Sequence, residues 1–169
     1  YVRPVVERYL TRLTYVLLDI GVKVPLSVMQ SKGGLATADI AKQRPVYCIE
    51  SGPEAGVVGA YHLGKRLDTP NLMTLDMGGT TAKASIIEEG EMLQAPEYEV
   101  GGEISVGHRL LRGSGHILRV PAIDLAEVGA GGGSIAMVDR SGSLRVGPQS
   151  SGAHPGPACY QLGGEDATV

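Results

Sequence analysis

Between Val5 and Ile20 the apolar residues Val5, Leu10, Leu13, Val16, Leu17 and Ile20 recur at helical spacing, and Gly21 follows where a left-handed residue commonly stops a helix. The pattern predicts an amphipathic helix of about four turns. Val24 to Gln30 then reads as a short strand, Ser31-Lys32-Gly33-Gly34 as a turn, and Thr37 as the cap of a short helix reaching Lys42. Val46-Tyr47-Cys48-Ile49 reads as a buried strand. It runs into Ser51-Gly52-Pro53-Glu54, where Ser51 as N-cap and Glu54 three residues on match a capping box. A helix to Leu67 follows, on which Gly52, Gly56 and Ala60 at i, i+4 and i+8 leave one side almost without side chains.

Past the break at Asp68-Thr69-Pro70-Asn71, the period changes from helical to two. An apolar run from Leu72 ends on Asp76, turns at Gly78-Gly79-Thr80-Thr81, and resumes as the alternating run Ala82 to Ile87. This predicts a β-hairpin with a polar tip. Glu88-Glu89-Gly90-Glu91 is a turn, and Glu97 to Val100 is extended. Gly101 to Gly115, carrying His108, Arg109 and Arg112, is a loop or short helix near a site opening. Val120 to Val128 is strand-like, Gly129 to Ser134 is a glycine run, and Ile135 to Val138 and Leu144 to Pro148 are strands flanking a turn at Asp139 to Ser143. From Gln149 to Gly164 the chain is too rich in Gly, Pro, Ser, Ala and His for a regular element.

Composition narrows the function classes. Apolar residues make up 43% of the 169, enough for a core, but Phe and Trp are absent, so the core is aliphatic with Tyr as the only large ring, which weighs against base-stacking platforms. A net charge of −3 with scattered Lys and Arg gives no footprint for nucleic acid or an anionic membrane. Two cysteines without metal-type spacing fit a reducing, cytoplasmic setting. No apolar run is long enough to span a bilayer, and the chain reads as an internal piece of something longer.

Two glycine motifs are decoys. Gly59 to Lys65 has Walker spacing but lies within a predicted helix, and Gly129 to Ser134 lacks the last glycine of a dinucleotide fingerprint and precedes a strand. The hairpin tip carries the chemistry instead. Consecutive glycines let backbone N–H groups approach an anion and form a concave nest, Thr80 and Thr81 add hydroxyl donors, and Asp76 can hold hydrated Mg²⁺. The Gly129 to Ser134 run, directly after Asp124 and Glu127, is either a plain glycine-rich hairpin bend or an oxyanion or phosphate cradle facing two carboxylates. On the cradle reading a methyl at Gly132 blocks close approach and cuts turnover by orders of magnitude. His108, His116, Asp124 and His154 are the residues available for a converged metal site, and none pairs at zinc-ligand spacing.

Asp76-Met77-Gly78-Gly79-Thr80-Thr81-Ala82-Lys83 resembles the second phosphate loop of the actin-like ATPase superfamily, in the form found in the hydantoinase A / 5-oxoprolinase family. Ser51 to Gly56, Val128 to Ala136 and Ser151 to Tyr160 match further signatures of that family, although Ser151 and His154 stand where many members carry Ala and Asp. The resemblance spans nearly the whole chain. It implies a ribonuclease H-like α/β fold with a mixed sheet and flanking helices, divided into the end of a first lobe with its connecting helix (1–68) and the start of a second (69–169). It further implies ATP and Mg²⁺ used to phosphorylate the carbonyl oxygen of a cyclic amide such as hydantoin or 5-oxoproline before ring opening. Asp76 and Asp124 would be the catalytic carboxylates, Asp76 the metal carboxylate, and Gly78, Gly79, Thr80, Thr81, Gly131, Gly132 and Gly133 the cofactor-binding residues. A second, hydantoinase B-like subunit or domain would be the partner, and a homo-oligomer is compatible with the resemblance. Ketone carboxylation and a non-catalytic nucleotide-binding scaffold are the alternative readings. The first phosphate loop and the adenosine segment are not found in this sequence.

Overall fold

A computed structural model describes residues 1–100, 104–105 and 115–169. The expected loop with His108, Arg109 and Arg112 lies outside these residues. Along the chain run α1 (Arg3–Asp19), β1 (Ser27–Met29), β2 (Leu35–Thr37), α2 (Ala38–Gln43), a 3-10 helix (Pro45–Cys48) and α3 (Ser51–Arg66). There follow β3 (Leu72–Met77), β4 (Ala82–Glu88), β5 (Glu91–Met92), β6 (Gln94–Ala95), β7 (Tyr98–Val100) and β8 (Ile104–Ser105). The last elements are β9 (His116–Leu118), β10 (Ala122–Ile123), β11 (Ala126–Val128), β12 (Ser134–Val138), β13 (Leu144–Ser150) and a 3-10 turn (Ala158–Tyr160). Among the described residues no helix is long and apolar enough to cross a membrane.

The chain divides into two compact units: Tyr1–Leu72 with Ile86–Tyr98 and Ile117–Asp124, and Met73–Ser85 with Glu99–His116 and Leu125–Val169. In the first unit, α1 begins with Pro4 in its first turn, where the missing N–H costs nothing. It ends in a Schellman motif, Gly21 N–H donating to Leu18 O at 3.0 Å and Val22 N–H to Leu17 O at 2.8 Å, with Gly21 left-handed at φ 91°. Thr37 caps α2, its Oγ1 accepting from Ile40 N–H. The β1–β2 hairpin turns at Gly33, which is also left-handed. A side chain there would press on Val58 at 3.0 Å and Ile123 at 3.2 Å.

Two expectations fail in this unit. Val46 to Ile49 is not a strand: Pro45, buried, opens a 3-10 helix, and a four-residue apolar run has too little length for its period to decide between the two. The capping box at Ser51 does not form either. Glu50 is the N-cap, left-handed at φ 63°, and Glu54 is buried at 1% exposure. The apolar core gathers here, with Leu10, Ala41, Val57, Ile87, Ala95, Ala122 and Ile123 all buried. Each side chain of the size of Val57 or Ile87 contributes about 1.5–3 kcal/mol of burial.

The central sheet has the order β3-β4-β11-β8, with β5 also beside β4. The expected single strand from Val120 to Val128 is broken at Asp124 and Leu125. Its first part, β10, pairs with β6, and its second, β11, pairs with β4 and β8. β12 and β13 form a hairpin whose register shifts between Ser134 and Ala136, and residues 167–169 run beside β12 through Ala136 N–H to Ala167 O and Val169 N–H to Ser134 O.

The β12–β13 turn is held by one carboxylate. Asp139 Oδ1 accepts from Ser141 N–H at 2.9 Å, Ser141 Oγ–H at 2.5 Å and Ser143 N–H at 3.0 Å, while Oδ2 accepts from Arg145 Nε at 3.0 Å. The Ser141 bond, then Arg145, lowers its pKa from 3.8 to about 2. A depressed carboxylate stabilises the fold above its unfolded pKa, and that stabilisation is lost as pH falls through the folded value. Thermal unfolding should therefore show Asp139→Ala melting below the parent chain at neutral pH, with the gap closing as pH drops from 3.8 toward about 2. An unchanged gap across that interval contradicts this role.

Candidate functional site: a hairpin tip held by a glycine loop

β3 and β4 meet at a tight tip in which Gly78 N–H donates to Thr81 O at 3.0 Å. Asp76, Gly78, Gly79 and Thr80 are exposed there, and Thr81 is half-buried. Neither Gly78 nor Gly79 has a positive φ, and a Cβ on either would meet nothing within 4 Å. The fold itself therefore has no demand for glycine at these two positions. A bare backbone with open space in front of it is what close approach of an external group requires.

The second glycine run is placed differently. Gly131, Gly133 and Ser134 are buried. A Cβ on Gly131 would lie 2.6 Å from Gly78 O, 2.6 Å from Thr81 N and 2.7 Å from Thr80 C, all main-chain atoms. One on Gly133 would lie 2.8 Å from Gly79 O and 3.1 Å from Ser150 Oγ. The loop thus packs main chain against main chain on the hairpin tip. Its amides are engaged within the protein: Gly132 N–H donates to Gly78 O at 2.9 Å, Gly133 N–H to Gly79 O at 2.8 Å, and Ser134 N–H to Gly131 O at 2.8 Å. Gly131 N–H donates to Ser134 Oγ at 2.9 Å. Gly133 O in turn accepts from Ser151 N–H at 2.8 Å and Ser151 Oγ at 3.2 Å.

Of the residues singled out from sequence, Asp76, Gly78, Gly79, Thr80, Thr81, Gly131, Gly132 and Gly133 are thus gathered in one unit around one tip. Of the amides expected to cradle an anion, those of Gly132 and Gly133 bond the hairpin and that of Gly131 bonds Ser134 Oγ. The position sensitive to a methyl also moves, since a Cβ on Gly132 would sit at an ordinary 3.7 Å from Gly78 O. Asp124 belongs to the first unit, where its N–H donates to Leu93 O at 2.9 Å. Glu127, expected to face the cradle, lies opposite Lys83 across the β4–β11 ladder, and its Oε1 is 3.4 Å from Lys83 Nζ. Lys83 and Ser85 are buried on β4 with Ile87, so the inward face of this strand is partly polar.

Sequence reasoning missed the roles of Ser134 and Ser151, the hydroxyl residues that tie the glycine loop down. The serine ending the glycine run was the available signal. It also missed a polar cluster in the first unit. Ser31, fully buried, donates from Oγ to Ile49 O, and Tyr98 OH approaches the same carbonyl at 3.5 Å. Burial pushes the Tyr98 phenol up, with the Ser31 hydrogen bond opposing and the charge of Glu54 adding. Burial likewise raises the Cys48 thiol, which makes it a poor nucleophile.

Among the described residues no three His, Cys, Asp or Glu side chains form a metal cluster. Mg²⁺ keeps most of its water and takes one or two carboxylates together with substrate phosphates. A single exposed carboxylate beside a bare phosphate-type loop fits that chemistry.

The family model described as hydantoinase/oxoprolinase matches residues 1–169. An uncharacterized protein of Methanocaldococcus jannaschii is 48% identical over the whole chain, which spans 25% of that protein. Caprolactamase subunit alpha of Pseudomonas jessenii is 36% identical, with the chain spanning 22% of it. The crystal structure of the ATP-dependent caprolactamase superposes with a TM-score of 0.66 at 35% identity, covering all of this chain and 23% of that one. The nucleotide-free structure of an acetone carboxylase, from work on ATP-dependent acetone carboxylation, gives a TM-score of 0.72 at 29% identity, covering 96% of this chain and 21% of that one.

The loop geometry fixes an order of tolerance. Gly131→Ala meets three main-chain atoms and should cost about 1–3 kcal/mol, Gly133→Ala less because it meets one close main-chain atom, Gly79 O, and a serine hydroxyl that can rotate, and Gly132→Ala least. Melting temperatures of the three variants check the order, and Gly132→Ala proving the most damaging would contradict the packing.

Proposed function

The chain belongs to the hydantoinase/oxoprolinase family, and we propose on that basis that it forms the phosphate-holding part of an ATP-dependent enzyme that opens cyclic amides. Its fold is of the α/β, actin-like ATPase class. The observation that carries the proposal is the pair Gly78 and Gly79, left bare although neither backbone conformation nor any protein neighbour requires it. Nucleotide phosphate is the group of matching charge and size for such a loop. The ATP-dependent caprolactamase likeness supports both the nucleotide and the ring amide.

In this reading the tip amides and the Thr80 hydroxyl bind the β- and γ-phosphates, and Asp76 holds hydrated Mg²⁺, whose chemistry is to neutralise charge developing on the phosphates. The residues orient the terminal phosphate toward the substrate carbonyl and contribute little covalent chemistry themselves. The lactam oxygen attacks the γ-phosphorus and ADP leaves. Water adds to the activated ring carbon, the C–N bond breaks with the proton passing to nitrogen, and a second water releases phosphate from the acyl phosphate. A second subunit belongs to the proposal because the caprolactamase relative is named as an alpha subunit. So does the division into the end of one lobe and the start of the next.

The acetone carboxylase likeness favours a second reading, in which the activated oxygen belongs to a ketone that is then carboxylated. Stimulation of ATP hydrolysis by lactams, against ketone plus bicarbonate, separates the two in the full-length polypeptide with its partner subunit. In either case Asp76→Ala should lower kcat for the stimulated ATPase by about a hundredfold or more, an electrostatic loss of several kcal/mol. Its melting temperature should barely move, because Asp76 is exposed. Full ATPase activity in Asp76→Ala refutes the assignment.

A further inference from the structure

Gly132 and Gly133 do more than fill space, because each donates to a carbonyl of the hairpin tip: Gly132 N–H to Gly78 O and Gly133 N–H to Gly79 O. A trans peptide unit points its C=O and its N–H in opposite directions. The unit that carries Gly78 O also carries Gly79 N–H, and the unit that carries Gly79 O also carries Thr80 N–H. Among the described residues the cis bonds are Gly147-Pro148 and His154-Pro155, so both tip units are trans. Drawing two successive carbonyls toward the loop therefore turns two successive N–H groups away from it, toward the side where Gly78 and Gly79 face open space. Two adjacent amides aimed the same way form the concave donor pair that binds an anionic oxygen. Thr81 N lies on the loop side, where a Cβ added to Gly131 would come within 2.6 Å of it.

We infer that Gly131, Gly132 and Gly133 are positioning residues for phosphate, holding the hairpin so that Gly79 N–H and Thr80 N–H, and not Thr81 N–H, are the amide donors. Gly131 permits the approach and Gly132 and Gly133 supply the hydrogen bonds. Ser134 Oγ, accepting from Gly131 N–H, and Ser151, donating to Gly133 O, fix the loop from behind. The inference rests on the reading of the tip as a phosphate site and adds which amides bind and what aims them. It also explains why two glycine runs far apart in sequence are needed for one anion. The first is bare for the ligand, the second for the first.

The test compares ADP and adenosine affinities of the full-length polypeptide by competition against a fluorescent adenine nucleotide. A positioning role predicts that Gly131→Ala and Gly133→Ala each weaken ADP by at least about tenfold, the size of lost hydrogen bonds to a charged group, with adenosine affinity within about twofold. General unfolding would lower both affinities together, which counts against the inference. If Gly131→Ala does not fold, Gly133→Ala carries the comparison, since it meets one main-chain atom and a rotatable hydroxyl. Gly79→Ala separates the two levels of the argument, because its Cβ points into open space and cannot disturb the protein. If Gly79→Ala weakens ADP while Gly131→Ala and Gly133→Ala do not, the positioning role is overturned and the phosphate site stands. If Gly79→Ala leaves ADP binding unchanged, the phosphate reading falls and takes the inference with it.

Discussion

Contact of main chain with main chain, between the hairpin tip at Gly78 to Thr81 and the loop at Gly131 to Gly133, is the constraint on which the second unit depends. Carbonyl and amide groups meet at 2.8–2.9 Å with no side chain between them. This unit has no apolar core of the usual kind: its buried residues among those described are Lys83, Ser85, Gly131, Gly133, Ser134, Gly156 and Pro157. Cohesion there comes from hydrogen bonds and close backbone packing. Such bonds are individually modest, but a buried backbone group left unpaired is costly, so the arrangement is directional and intolerant of slippage. The first unit is held in the ordinary way, by aliphatic side chains around Val57, Ile87 and Ile123.

The contrast bears on function. A site that must present backbone donors to a highly charged group cannot be surrounded by mobile side chains, and an aliphatic core tolerates small shifts that a donor array does not. The tip is fixed through its own carbonyls, with open space left in front of Gly78 and Gly79. Lys83 and Glu127, paired across β4 and β11, lie on the strands immediately before and after the two glycine segments and tie their bases together.

Elements whose signal is local were legible in the sequence. The hairpin of β3 and β4, α1 with its left-handed Gly21, the Thr37 cap and the Asp139 turn each follow from residues adjacent in the chain. What escaped was decided by partners distant in sequence. Val46 to Ile49 lacked the length to show a period, and Pro45 tipped it into a 3-10 helix. Glu54, three residues after Ser51, looked like a capping partner but is buried. The run from Val120 to Val128 is uniformly strand-like, yet its halves join different sheets, a choice made by the edges available to pair. At the site, Asp76 to Thr81 was legible as an exposed hairpin tip, whereas the partner of Gly131 to Gly133 was not. A glycine run announces that something approaches closely. It does not say whether that something is a ligand or the protein's own backbone.

Because both sides of this contact are main chain, side-chain identity carries almost no information about it. Ala130, Thr80 and Ser150 can change chemistry while the geometry persists, so long as no atom is added at Gly131 or Gly133. Selection would act here on the absence of atoms, and single-base changes at a glycine codon only ever add them. The loop is therefore a region where drift is one-directional: each substitution at those two positions enlarges the residue, and at Gly131 none can be compensated by trimming a neighbour, since every close neighbour there is peptide backbone.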